Sequence, residues 1–349
     1  MTKTGGLVAA AGLLAVALVA SLAVGPVAIG PARLVDVANA LIAAGGRAGL
    51  PADYVRDAII LCDVRAPRTV LGALVGAAMA MAGAVMQGMF RNPLADPGLV
   101  GVSSGAALAA VLWITFGETA AHHLPPALAV LGLPLAAFAG GLGATLVLAR
   151  LATRDGRTEI AVMLLAGVAL GALTGAATGV LVFMARDDQL RAFLFWTLGS
   201  LGGATWLKVA LTLPFLVALA LAGPFLARGL DAVALGERGA FHVGVDVERL
   251  KRVATVGVAA AAAAAVASAG VIGFIGLAAP HIVRLAIGPG HRALLPASAL
   301  VGAALLLLSD VAARTLVAPA ELPIGVVTAV FGAPFFLWLL MRRRGRVVG

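Results

Sequence analysis

A lysine cradled by a glycine-rich loop is the usual grip on a nucleotide's phosphates, and this sequence has three lysines, Lys3, Lys208 and Lys251. None closes a G-x-x-x-x-G-K-[ST] loop. Lys208 and Lys251 are followed by Val209 and Arg252, and no glycine loop precedes Lys3. The chain therefore carries no ATP site of its own. Other chemistry is equally thin. There is no H-E-x-x-H pair for zinc and no G-x-S-x-G elbow for a nucleophilic serine. The five histidines are scattered, with only His122 and His123 adjacent, and the single cysteine, Cys62, can close no intrachain disulfide. No catalytic residue and no metal site is expected. Asp310, Arg314 and Glu321 lie near one end of the last apolar runs and Arg284 near the other. A proton- or ion-coupled carrier keeps ionisable groups at mid-membrane. Their placement argues against secondary transport, and an intramembrane enzyme fares no better.

The elements that hold these residues are set by composition. Of 349 residues, 62% are hydrophobic and 12% charged, and the mean hydropathy is +1.06. A soluble domain is about a quarter charged, and core burial stops growing near about 250–300 residues. Soluble enzymes, nucleic-acid binders and disordered chains are excluded. What remains is an all-α integral membrane protein, a single transmembrane domain over 1–349. A spanning helix needs roughly 20 apolar residues. Spans are predicted at 7–29, 69–89, 98–116, 127–149, 160–184, 205–227, 253–271, 272–287, 294–313 and 323–341. The first run exceeds the apolar core of about 7–15 residues in a secretory signal, so it reads as a retained helix. The stretch 253–287 is too long for one span, and Gly270 and Gly273 offer a turn. Nine spans is the competing count. Segments 32–64, with Leu34, Val37, Leu41 and Ile42 at helical spacing, and 185–204 read as short helices on the outer surface.

Charge decides between the counts. With the N-terminus inside and ten spans, about two thirds of the 25 Lys and Arg fall in inside segments, as the positive-inside bias requires. This puts both termini in the cytoplasm. The longest inside segment, 228–252, reads RGLDAVALGERGAFHVGVDVERLKR. Gly167, Gly171, Gly175 and Gly179 recur at every fourth residue of the fifth span. Such a face serves either close helix packing or a smooth wall beside a wide pathway. The alanines 259–265 read as close-packed helix.

Two blocks are denser in turn chemistry than packing requires. One holds Arg65-Ala66-Pro67-Arg68, then Gln87-Gly88-Met89-Phe90-Arg91-Asn92-Pro93-Leu94-Ala95-Asp96-Pro97-Gly98 and Gly101-Val102-Ser103-Ser104-Gly105-Ala106. The other holds Gly273-Phe274-Ile275-Gly276-Leu277-Ala278-Ala279-Pro280-His281-Ile282-Val283-Arg284, then Ser309-Asp310-Val311-Ala312-Ala313-Arg314 and Glu321-Leu322-Pro323-Ile324-Gly325-Val326. In these blocks, from about residue 60 to 341, the chain resembles the FecCD-type permeases of ABC importers for ferric siderophores, haem and cobalamin.

The resemblance implies the type II permease fold of ten helices, in the bacterial inner membrane. It implies a homodimer with the substrate path along its interface, two ATPase subunits binding ATP and Mg on the cytoplasmic face, and a periplasmic binding protein outside. Residues 228–252 then match the segment that couples to the ATPase, with Leu235, Gly236, Glu237, Arg238 and Gly244 as its contacts. Asn92 and Leu94, with Glu159, Ile160 and Ala161, match a cytoplasmic gate. Gly167, Gly171, Gly175 and Gly179 would wall the path. Arg65, Arg68 and Arg314 match outer-surface arginines that pair with glutamates of the binding protein, while headgroup anchoring is the plainer role for Arg65 and Arg68. His281 reads as a structural histidine rather than a haem ligand. Segments 90–97 and 187–204 look most like the haem branch, ahead of ferric siderophore and cobalamin.

Overall fold

The computed structural model describes residues 2–344 except 28, 47, 48, 122 and 124. His122 and Arg346 lie outside the described residues. The chain is almost wholly helical. Its elements are α1 (Lys3–Ala23), α2 (Pro31–Ala43), α3 (Ala52–Ile59), a π turn (Ile60–Arg65), α4 (Ala66–Met89), a 3-10 turn (Pro97–Val100), α5 (Val102–Ala121) and α6 (Pro126–Leu151). A two-stranded hairpin follows, β1 (Thr153–Arg154) and β2 (Arg157–Thr158), then α7 (Ile160–Met184), α8 (Asp187–Thr197) and α9 (Trp206–Val233). The last part holds α10 (Glu237–His242), α11 (Val247–Ala269), α12 (Ile275–Ile287), α13 (His291–Thr315) and α14 (Ile324–Arg344).

Seven described helices are long and apolar enough to cross a membrane, and three shorter apolar helices, in α5, α12 and α14, accompany them. Together they make the ten expected spans. Several boundaries move. The second span does not begin at 69: helix runs unbroken over Ala52–Met89. Pro67 lacks the N–H an α-turn would need. The π turn widens the helix just ahead of it, and the Ala66 N–H reaches back to Leu61 O. Segment 32–64 is thus two helices, the second continuous with a span. Segment 228–252 is not a loop either. It is the end of α9, the short α10 and the first turns of α11.

The α11–α12 boundary falls where the glycines suggested. Gly270 takes φ +75° as the C-cap of α11, and Phe274 takes φ +69° before α12. Other segments are tied in beside this break: Ser200 N–H donates to the last carbonyl of α11, Ala269 O, at 2.8 Å, and Gly325 N–H in α14 donates to Leu198 O at 2.9 Å. At 13 residues, α12 spans about 20 Å at 1.5 Å per residue, shorter than the hydrocarbon layer.

Helix α4 is the axis of the core. It packs on α9, α11, α12 and α13, with backbones touching at two glycine crossings. A Cβ at Gly76 would stand 2.4 Å from Gly302 O, and one at Gly83 would stand 1.9 Å from Gly276 O. Small residues allow this approach, which supplies dispersion contacts where lipid offers no hydrophobic drive. Ala261–Ala265 of α11 are buried in the same core. Helix α7, by contrast, leaves Leu165, Val168, Leu173 and Phe183 exposed.

Candidate functional site

The arginine-rich end and the α10 end of the bundle are built differently. At the first, here called outer, Arg68 is the hub. Its guanidinium donates to both Asp310 carboxylate oxygens at 2.9–3.1 Å and to both Glu321 oxygens at 2.9–3.0 Å. Arg314 Nε lies 3.1 Å from Asp310 Oδ2 one helical turn away, and its Nη2 donates to Ser21 O at 3.2 Å. Ser21 and Thr69 share a 2.8 Å hydroxyl pair. Arg65 donates to the carbonyls of Leu22, Ala23 and Val27. It thereby satisfies open carbonyls at the C-terminus of α1, where a cation is also favoured by the helix dipole.

These three arginines do not stand free on the outer surface. Arg65, Arg68 and Arg314 are all buried, and Asp310 is wholly so. The expectation that they are exposed at the outer surface is corrected accordingly. A guanidinium that leaves water must be paired, and each of these finds its partners within the same chain. The sequence showed the charges near one end but not that Arg68 reaches across 242 positions to Asp310.

At the inner end, α4 stops in a turn. Arg91 adopts φ +48°, and Asn92 Oδ1 accepts the Leu94 N–H at 3.0 Å. This Asx turn projects Leu94, 44% exposed. Asp96 Oδ1 accepts the Gly98 N–H at 2.8 Å and starts the 3-10 turn. Burial raises the Asp96 carboxyl above the usual range, against the pull of that N–H. The 3-10 turn packs on α7: a Cβ at Gly167 would stand 2.4 Å from Leu99 O. Gly167 is therefore a packing residue. Gly171, Gly175 and Gly179 meet nothing within 4 Å of an added Cβ and leave a bare face.

Glu159, Ile160 and Ala161 begin α7 directly after the hairpin, which the sequence reading did not foresee. Its signal was Asp155-Gly156. Both take positive φ, +51° and +76°, as a two-residue type I′ turn demands. Thr153 and Thr158 hydroxyls meet at 2.9 Å across it. The hairpin is held from beneath by α11. Glu248 Oε2 accepts the Thr158 N–H at 2.9 Å. Lys251, only 5% exposed, donates to Thr158 O at 2.8 Å, to Glu237 at 3.0 Å and to Glu248 at 3.1 Å.

Glu237 opens α10. Leu235 is exposed just before it, and Gly236 and Gly244 bracket the helix at φ +102° and +81°. A side chain at either glycine would be strained. Leu235, Gly236, Glu237, Arg238 and Gly244 thus share one short protruding unit. Lys251, Glu248 and Thr158 were missed as site residues. The Glu248–Lys251 spacing on α11 gives no signal of the third partner, because Thr158 lies 93 positions away.

His281 is buried beside Phe335 and Phe336, with ring centroids 6.1 and 6.4 Å away. Nearby, Arg284 donates to Gln87 Oε1 at 2.9 Å, joining α12 to α4.

Residues 13–342 match the FecCD transport family. The chain belongs to that family. It is 46% identical over 285 residues to the hemin transport system permease protein HmuU of Yersinia pestis, covering 82% of this chain and 84% of that protein. It is 43% identical to the cobalamin import system permease protein BtuC of Halobacterium salinarum, covering 83% of this chain and 75% of that one. Against the vitamin B12 import system permease protein BtuC of an Escherichia coli O6:H1 strain, identity is 41%, with coverage of 86% and 90%. In three dimensions it superimposes on a solved metal-chelate type ABC transporter in an inward-facing conformation, with a TM-score of 0.78 and 30% identity, over 96% of this chain and 98% of that one.

Proposed function

We propose that the chain is the permease subunit of an ATP-driven importer that carries haem from the periplasm to the cytoplasm. The observation that carries this reading is the 46% identity to a hemin transport permease across most of both chains. ATP and Mg are bound by separate ATPase subunits, a reading supported by the lack of a phosphate loop in this chain. Two copies of the permease work together, with the bare Gly171, Gly175 and Gly179 face of α7 beside the path. The protruding α10 unit, with Leu235, Gly236, Glu237, Arg238 and Gly244, seats on the ATPase. Asn92 and Leu94, with Glu159, Ile160 and Ala161, form the cytoplasmic gate. Docking of the periplasmic binding protein falls to the exposed outer helices α2, α3 and α8, since the buried arginines are engaged within the protomer. The chain sits in the inner membrane with both termini in the cytoplasm.

Cobalamin is the second reading, favoured by the 43% and 41% identities to cobalamin permeases, and the solved metal-chelate transporter keeps ferric siderophores in view. Uptake into proteoliposomes holding permease, ATPase and binding protein separates them. Haem should be imported on ATP addition, and its binding protein should show a Soret band with haem. Import of cyanocobalamin or a ferric siderophore with no import of haem overturns the haem reading. ATP-independent uptake by the permease alone overturns the importer reading.

A further inference from the structure

Three separate pieces of the inner end meet on one ammonium. Lys251 of α11 reaches Glu237 at the start of α10, Glu248 one turn behind it, and the carbonyl of Thr158 in β2. Glu248 closes the circuit by accepting the Thr158 N–H. A lysine has three donors and no acceptor, and all three are used. A cation at 5% exposure is costly to hold unless so satisfied. The hairpin is only two residues per strand, too small to hold its own position. Thr158 is joined by one peptide bond to Glu159, after which α7 begins.

We propose that Lys251 is a positioning residue that fastens α10 to the β1–β2 hairpin, so that displacement of α10 is passed to the start of α7. This rests on the reading of α10 as the ATPase contact and of 159–161 as part of the gate. Helix α10 and the hairpin share no direct hydrogen bond among the described residues; the ammonium is their common partner. With Lys251 in place they move as one body. Without it, α10 can shift while the hairpin stays, and ATP is hydrolysed without opening the gate.

The test uses the assembled importer in proteoliposomes with haem as probe. In Lys251→Met the ATP hydrolysed per haem imported should rise about 5-fold or more, the lower end of typical coupling between sites. Lys251→Arg, which keeps the charge and its donors, should recover most of the loss. An independent readout uses spin labels at Arg154→Cys and Phe241→Cys in a Cys62→Ser background. Their separation should stay the same in nucleotide-free and ATP-bound parent importer, and should broaden in Lys251→Met. Should Lys251→Met fail to assemble, Glu248→Gln carries the same two measurements, with a smaller rise in the ratio. A parental ratio, or a parental distance distribution, in the assembled variant overturns the inference. If the parent itself imports haem without ATP, the underlying reading has failed instead, and the spin-label distances still report whether Lys251 fastens the two elements.

Discussion

The two ends of the bundle each gather buried or half-buried charge, yet they use it to opposite ends. The outer cluster joins long helices that already pack along their length: α1, α4 and α13 share apolar contacts below Arg68, Asp310 and Arg314. The charges there confirm an arrangement the core has made. The inner cluster joins α10 and the hairpin, six residues and two short strands, which have little apolar surface to fix them. There the charges make the arrangement. The same chemistry therefore adds rigidity at one end and transmits position at the other.

The largest expected effect lies at the outer end. Asp310→Ala leaves two guanidiniums, Arg68 and Arg314, without the carboxylate that lies between them. Removing one partner of a buried ion pair costs about 3–5 kcal/mol. The purified permease should lose most of its thermal stability and much of its yield in membranes. For the same reason, Arg65→Glu with Arg68→Glu should destroy the fold rather than a docking surface, because it places two new carboxylates beside Asp310 and the α1 carbonyls. Normal expression of that double variant, with only binding-protein affinity lost, would restore the docking role.

A glycine crossing comes next. Gly83→Ala drives a methyl into the backbone of Gly276, where no side chain can rotate away. Overpacking costs about 1–3 kcal/mol, and more where backbone must shift. Gly175→Ala meets nothing within 4 Å within the chain and should leave the stability of the single chain unchanged, so any loss of uptake there reports on the proposed dimer path. Thermal melts of both variants in detergent distinguish them.

Much of this was legible in the sequence, and the physical reasons divide cleanly. Spans follow from runs of apolar residues, which are local, so the ten helices and even the break at Gly270 could be read directly. Turn residues are local too, and Asn92-Pro93-Leu94 fell where α4 ends. What escaped was pairing at a distance. Arg68 could not be told from a free surface arginine, because its partners lie near the far end of the chain. Lys251 carried no sign of its bond to Thr158, 93 positions away. The sequence places the span at 69–89, because nothing around Pro67 announces the π turn that carries the helix through it.

Two carboxylates of similar exposure sharpen the contrast between the ends. Glu321 at the outer end is 36% exposed and Glu237 at the inner end 44%. Each shares its cation with another carboxylate, so Glu321→Gln and Glu237→Ala should each cost about 1 kcal/mol or less once solvent screening is counted. Their functional consequences should differ. With Glu321→Gln, haem uptake and ATP use should match the parent. With Glu237→Ala, and more so with Arg238→Ala added, ATPase stimulation or coupling should fall. Equal coupling losses in Glu321→Gln and Glu237→Ala would mean that both ends transmit motion.

The smallest effect on stability belongs to Leu94. Its side chain is 44% exposed, and the turn that carries it is held by the Asn92 side-chain Oδ1 accepting the Leu94 N–H, neither of which depends on the leucine side chain. Leu94→Ala should therefore change stability by no more than about 0.5 kcal/mol, as for surface sites free of special features. If Leu94 blocks the cytoplasmic exit, the same substitution removes an obstacle without loosening its support. ATP turnover should persist while preloaded haem leaks from proteoliposomes faster than through the parent. Asn92→Ala should behave differently, because it removes the acceptor that fixes the turn, and should blur the gate as well as lower its stability. A Leu94→Ala importer with parental leak and parental coupling would show that the turn positions some other side chain at the exit, and Ile160 at the start of α7 is the next residue to test.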